Sequence, residues 1–169
     1  MTRAADDRLP TPDDFRHAIA RFPTGVATVT TIADGHDHAM TASSVVSLSL
    51  EPPALLFCVA VGSRFHEAVL SAGVWGVSVL GGGQRSVADW LSAPGRPVLG
   101  QLDRVPHHRG PRTGVALVEG ALAAFECRTR ATHRDGDHEI VVGDVLFVDR
   151  PDRAGAALVR HRSTYGSVG

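Results

Sequence analysis

Phe15, Ala18, Ile19 and Phe22 recur at i, i+3, i+4 and i+7, the spacing that lines four apolar side chains along one stripe of an α-helix. Thr11 offers an N-cap ahead of the stripe, Pro12 suits the first helical position, and Asp13 and Asp14 complement the positive end of the helix dipole. The spacing predicts a helix over 12–22 that ends at Pro23 and lays its stripe on a sheet. From Gly25 the period shortens. Residues 26–32 are rich in Val, Thr and Ile, Asp34 to His38 is a cluster of turn formers, and 39–50 returns as a strand. Within that strand Val46, Leu48 and Leu50 alternate with Ser47 and Ser49, so one face is expected to be wet or to meet something polar. Residues 54–61 are a continuous apolar run, the pattern of a strand buried on both faces.

Ser63 predicts the cap of a short helix running through Leu70 and closed by Gly73. A strand over 74–80 leads into Gly81-Gly82-Gly83 and a helix over 84–93 with Val87, Trp90 and Leu91 on one face. Residues 94–113 hold four Pro, three Gly and the pair His107-His108, a composition that predicts a long surface excursion. Phe125, Cys127 and Thr129 then alternate with Glu126, Arg128 and Arg130. Asp135 to His138 forms a turn, and 140–148 returns antiparallel. Six or seven strands with three short helices exclude a doubly wound βαβ fold. The expected class is mainly β, a closed or partly open antiparallel barrel with a few peripheral helices.

Composition narrows the partners. The 169 residues, 43% hydrophobic and 21% charged, suit one domain with a continuous core; it is expected over 13–169, behind a flexible N-terminal segment of residues 1–12. Seventeen basic and eighteen acidic residues leave a formal charge of -1, with no footprint for nucleic acid or an anionic membrane. Cys58 and Cys127 lie in apolar, β-prone runs and read as reduced core residues. The N-terminus lacks the apolar stretch of a signal peptide, and no apolar run approaches the ~18 residues that span a bilayer, so a cytoplasmic location is expected.

Four local features carry candidate chemistry. Thr41-Ala42-Ser43-Ser44 is a run of small, mostly hydroxyl residues that lets a ligand approach the backbone, although a polar edge strand accounts for it as well. Ser63-Arg64 at a helix start combines free backbone N–H groups, the dipole and a guanidinium into an anion site, while plain N-capping also explains the serine. Gly136-Asp137-His138 places a histidine in a turn whose other two residues need only turn geometry. Gly81-Gly82-Gly83 before Gln84 lacks the lysine and spacing of a phosphate-binding loop and reads as a flexible joint. The nine histidines show no metal-ligand spacing, so no metal is expected, and no Gly-x-Ser-x-Gly elbow is present.

In their order along the chain, these features resemble the flavin-reductase family, the small components of two-component flavin-dependent monooxygenases. The matching residues are Phe15-Arg16-His17-Ala18, Phe22-Pro23-Thr24-Gly25-Val26, Met40-Thr41-Ala42-Ser43-Ser44 and Ser47-Leu48-Ser49-Leu50-Glu51-Pro52-Pro53. Ser63, Trp75 to Leu80, Gln84, Gly120 to Ala123, Gly136-Asp137-His138, His161-Arg162 and Tyr165-Gly166 continue the pattern, which spans roughly 13 to 166.

The resemblance implies a split β-barrel, a homodimer, and an NAD(P)H:flavin oxidoreductase that reduces FMN or FAD with NADH or NADPH for a partner monooxygenase. It implies that Thr41, Ala42, Ser43 and Ser44 border the flavin, that Ser63 and Arg64 meet its phosphate end, and that Gln84 borders the same pocket. His138 and Tyr165 are expected on the nicotinamide side, with His138 positioning that ring. No catalytic acid–base group is required, because the flavin ring carries the redox chemistry and the protein binds and orients it. Hydride transfer needs the two reacting atoms within roughly 3–3.5 Å, so one ring face must stay open. The alternatives are a related split-barrel oxidoreductase using another cofactor, and a non-catalytic flavin-binding protein.

Overall fold

Thr11 accepts a hydrogen bond from the Asp14 amide, while the Asp14 carboxylate accepts from the Thr11 amide at 2.9 Å. This reciprocal cap starts helix α1, Pro12–Ile19, in a computed structural model that describes residues 8–152 and 155–169. Of the N-terminal segment expected to be flexible, residues 1–7 therefore lie outside the described residues. The helix is shorter than its apolar stripe predicts, and the stripe does not lie on a sheet. No α1 residue is buried, and Phe15, Ile19 and Phe22 are all at least half exposed.

The strands follow as β1 (Thr24–Gly25), β2 (Ala27–Ala33), β3 (His36–Ala42), β4 (Val46–Leu50) and β5 (Pro53–Ala60). Helix α2 (Arg64–Ala72), β6 (Val74–Val79), a 3-10 turn over Gly82–Gln84 and α3 (Arg85–Ser92) come next. The remainder is β7 (His107–Arg109), β8 (Ala116–Val118), β9 (Ala123–Asp135), β10 (His138–Asp149), β11 (Ala157–His161) and β12 (Thr164–Val168). All strand pairs are antiparallel. Seven strands form one sheet in the order β3-β2-β6-β9-β10-β5-β4, with β1-β11-β12 and β7-β8 as smaller sheets. The result is a mainly β, split-barrel architecture with three α-helices at its periphery.

Several expected boundaries move. The turn before β3 is only Asp34-Gly35, so His36, Asp37 and His38 belong to the strand. The strand expected over 39–50 is broken at residues 43–45, which divides it into β3 and β4. These two, consecutive in the chain, become the two free edges of the large sheet. Strand β5 alternates rather than being buried on both faces: Leu55, Phe57 and Val59 are buried, and Leu56 and Cys58 are half-buried. Most of residues 94–113 are exposed, as expected of a surface excursion, but Gln101, Leu102 and Val105 anchor the segment by being buried and β7 lies within it.

Two apolar clusters support the sheet. One joins β5, β6 and α2 around Phe57 and Trp75, whose rings meet edge to face with centroids 4.8 Å apart. Gly143 serves this cluster, since a Cβ there would stand 2.5 Å from the Trp75 ring. The other lies beneath α3 and joins Leu80, Ala88, Leu91, Leu102, Val118 and Leu158. Ser63 caps α2 as its position predicts, accepting from the His66 amide at 3.2 Å, and Gly73 closes the helix at φ 66°.

Candidate active site

The break at residues 43–45 opens a cavity of about 550 Å³, within the range of small-molecule sites. Its walls are the end of β3, Ser43 and Ser44, Cys58 to Ala60 of β5, the start of α2, residues 91–96 and Gln101, with His138 at the rim.

One wall answers an edge-strand problem. An edge strand leaves backbone N–H and C=O groups without a neighbour, and at Ala39 two side chains from the 94–113 segment fill that need. Gln101 Oε1 accepts from the Ala39 amide at 3.1 Å, and Arg96 Nη2 donates to the Ala39 carbonyl at 3.1 Å. Gln101 Nε2 also donates to the Pro97 carbonyl at 3.1 Å. Arg96 bonds the carbonyls of Leu91 and Ala93 besides. The segment is thereby held against β3 as one side of the cavity.

Positive charge gathers where α2 begins. Arg64 Nη2 donates to the Arg96 carbonyl at 2.8 Å, and both arginines line the cavity. Burial, and then the neighbouring Arg64 charge, lower the Arg96 pKa from its ordinary value. Ser63 Oγ is an acceptor for the helix amide, so its own proton is free to donate into the cavity. A capping hydroxyl, a helix N-terminus and two guanidinium groups are suited to an anion.

The remaining expected residues divide. Thr41 lines the cavity, but its hydroxyl donates to the Ala88 carbonyl at 2.8 Å and so offers outward only its lone pairs. Ser43 is exposed on the cavity wall, and Ser44 is bonded to the backbone of Cys58. Ala42 is 4% exposed and packs in the core, away from the cavity. Gln84 is also elsewhere: its Oε1 accepts from the Gly81 amide at 3.0 Å and its Nε2 donates to the Glu119 carbonyl at 2.9 Å. Tyr165 stands between Arg85 and Arg160, about 6 Å from each guanidinium carbon, and is not a cavity wall.

His138 Nδ1 lies 2.8 Å from Asp137 Oδ1, and this hydrogen bond lowers the Asp137 pKa. The contact leaves Nε2 available at the rim. Behind it, Glu139 Oε2 meets His66 Nε2 at 2.6 Å and ties β10 to α2.

Arg96 and Gln101 were not singled out in the sequence, and Cys58, expected as a core residue, is instead half-buried on the cavity wall. Cys58 sits in an apolar run, and the other two lie in a segment without periodicity. Only the edge position of β3, a property of strand order, gives Arg96 and Gln101 their task. Among the described residues, no three His, Cys, Asp or Glu side chains cluster as a metal site.

Comparison with known proteins gives this geometry its family. Residues 19–169 match the flavin reductase like domain. An NADH-dependent FAD reductase of Streptomyces globisporus is 37% identical over 143 residues, covering 83% of this chain and 78% of that protein. The reductase component of 4-hydroxyphenylacetate 3-monooxygenase from Thermus thermophilus is 36% identical over 139 residues, covering 80% and 83%. The crystal structure of BorF, the flavin reductase component of a bacterial two-component tryptophan halogenase, superposes with a TM-score of 0.87 at 41% identity, covering 94% of this chain and 98% of that one. A domain match over most of the chain, close relatives along its length and a shared split barrel agree: this chain belongs to the flavin reductase like domain family.

Proposed function

We propose that this chain is an NADH-dependent flavin reductase that transfers hydride from the dihydronicotinamide to FMN or FAD and supplies reduced flavin to a partner monooxygenase. The observation that carries the reading is the 550 Å³ cavity, which joins small-residue walls to an anion-binding start of α2. The wall residues suit a flavin. Ser43, Ala60, Ala93 and Gly95 are small enough to let a planar ring lie against the backbone, and Ser63, Arg64 and Arg96 suit its phosphate.

A bound flavin supplies the electron-accepting ring. The protein's own groups bind and orient. Arg64 and Arg96 hold like charges close together, and an anion between them relieves that repulsion. The Ser63 hydroxyl donates its spare proton to the same anion. His138, with Nδ1 held by Asp137, presents Nε2 at the open rim to position the nicotinamide. Trp90 and Gln101 keep the 94–101 wall in place, the indole donating to the Gln101 carbonyl at 2.8 Å.

The free edge strand β4 exposes Val46, Leu48 and Leu50 beside the Ser43-Ser44 wall, and we assign this apolar edge to a second copy of the chain, forming a homodimer. Both thiols are free, which suits a reducing, cytoplasmic compartment. No described helix is long and apolar enough to cross a membrane.

The test is NADH oxidation by the purified protein under air. Loss of the NADH absorbance that requires added FMN or FAD is expected. Flavin binding without that loss would make the protein a carrier and overturn the enzymatic reading.

A further inference from the structure

Ala60, Val61, Gly62 and Ser63 make the turn that joins β5 to α2, closed by the Ser63 amide donating to the Ala60 carbonyl at 3.2 Å. Gly62 sits at φ 74°, the left-handed angle that the third residue of a type II turn requires. The type I alternative differs in the orientation of the peptide between Val61 and Gly62. Two contacts hold the observed form. The Val61 amide donates to the Asp137 carbonyl at 2.9 Å. The Gly62 amide, which belongs to the peptide that would rotate, finds its acceptor one helical turn further on, at His66 Nδ1, 3.4 Å away.

That acceptor exists in one state of the ring. His66 Nε2 lies 2.6 Å from Glu139 Oε2, and an ionised carboxylate only accepts, just as an amide N–H only donates. A neutral imidazole with its proton on Nε2 and its lone pair on Nδ1 satisfies both neighbours. The other tautomer would set a proton on Nδ1 against the Gly62 N–H. Glu139 therefore selects the form of His66 that holds the turn. Both side chains are enclosed, 13% and 12% exposed.

This arrangement reaches the cavity from outside it. Strand β10 pairs with β5 so that His138 stands opposite Ala60 and Glu139 opposite Val59. Successive side chains of a strand point to opposite faces, and while His138 is at the cavity rim, Glu139 reaches α2. Neither His66 nor Glu139 is a wall of the cavity, yet the residue after the turn they hold is Ser63, followed by Arg64, and both of these are walls.

We propose that His66 is a positioning residue for the flavin phosphate: kept in one tautomer by Glu139, it fixes the turn at Gly62 so that the Ser63 hydroxyl and the Arg64 guanidinium are in place before the anion arrives. The inference rests on the reductase reading, which puts that phosphate at the start of α2. A preformed site binds more tightly because less ordering accompanies binding, and the gain falls on the phosphate alone.

The test compares FMN with riboflavin, which lacks the phosphate, by fluorescence titration of the unaltered protein, His66→Gln and His66→Asn. The side-chain oxygen of asparagine falls where His66 Nδ1 stands and can accept from Gly62. Glutamine extends toward Glu139 and leaves Gly62 without its acceptor. FMN affinity should fall roughly threefold to tenfold in His66→Gln, the scale of one lost hydrogen bond, with riboflavin affinity unchanged, and His66→Asn should retain most of the FMN affinity. Repeating the comparison with Glu139→Gln present removes the carboxylate that asparagine leaves unpaired, and nitrogen NMR of the unaltered protein reads the His66 tautomer without any variant. Undiminished FMN affinity in His66→Gln, equal losses in both variants, equal losses for both flavins, or a proton on Nδ1 overturns the positioning role. If the unaltered protein binds FMN no more tightly than riboflavin, the phosphate is not at α2 and the inference fails with that assignment. Binding of FMN without NADH oxidation would instead defeat the reductase reading and leave the role of His66 standing.

Discussion

Ser44 Oγ accepts the Cys58 amide hydrogen at 3.0 Å and lies 3.3 Å from the Cys58 carbonyl, to which it donates. The pairing of β4 with β5 runs Val46 to Leu56 and Ser47 to Leu55. Extended by two residues, that register puts Ser44 opposite Cys58, so the side chain takes over both hydrogen bonds just where the strand has broken. The break can open the cavity while leaving both Cys58 backbone groups satisfied.

Ser44→Ala removes both bonds from a half-buried wall. We expect a loss of about 1–3 kcal/mol in stability, the scale of leaving such groups unpaired, together with weaker flavin binding. Urea unfolding and a flavin titration measure the two effects, and an unchanged midpoint would show that water replaces the hydroxyl.

The two thiols should differ in reactivity. Burial, with Asp144 and Glu126 nearby, pushes the Cys127 thiol up to about 12, and its side chain is fully enclosed. Cys58 is a cavity wall. Because the thiolate is the nucleophile, iodoacetamide should label Cys58 and spare Cys127 in the folded protein. Added FMN should slow the Cys58 reaction; mass spectrometry of peptides reads both, and equal rates with and without FMN would count against the cavity as the flavin site.

The His66–Glu139 contact predicts an acid-side dependence of stability. The hydrogen bond from His66, and then one from Thr132, hold the Glu139 carboxyl below its ordinary value of 4.5. A carboxylate depressed in the folded state contributes stability that is complete above its unfolded pKa and lost as pH falls through the folded one. The stability difference between the unaltered protein and Glu139→Gln should thus be level above about pH 5 and shrink below it. Chemical unfolding across that range measures it, and a difference that grows in acid would contradict the assigned pair.

Glu126 is fully buried and accepts from the Thr113 amide and hydroxyl, each at 2.6 Å, and from the Arg112 amide at 3.1 Å. It anchors the 110–113 turn against β9. Glu126→Ala should destabilise by about 1–3 kcal/mol for each buried donor left without an acceptor. Thermal unfolding checks the cost, and limited proteolysis should show cleavage near Arg112.

Leu50 is 83% exposed on the free edge of β4. If a second copy covers that edge, Leu50→Asp should shift the protein toward monomer in analytical ultracentrifugation. A sedimentation profile identical to that of the unaltered protein would remove β4 from the interface.

What the sequence determined by itself was local and periodic. The Thr11 and Ser63 caps, the Gly73 stop, the β9–β10 hairpin and the mainly β class all follow from short-range spacing, because a cap or a turn is settled within a few residues. The ordered motifs from Phe15 to Tyr165 likewise carried the family resemblance. Tertiary structure decided what depends on strand order and distant contact. The apolar stripe of α1 has the correct period, yet nothing in its periodicity says whether a sheet will lie beneath it, and none does. Thr41-Ala42-Ser43-Ser44 was visible as a motif, but whether each side chain turns toward the cavity or the core depends on where the strand breaks; Ser43 faces out and Ala42 in. Gln84 and Tyr165 belong to the motif pattern and stand away from the cavity. Arg96 and Gln101 gain their roles only because β3 is a sheet edge with unpaired backbone groups, a demand created by residues far away in the chain.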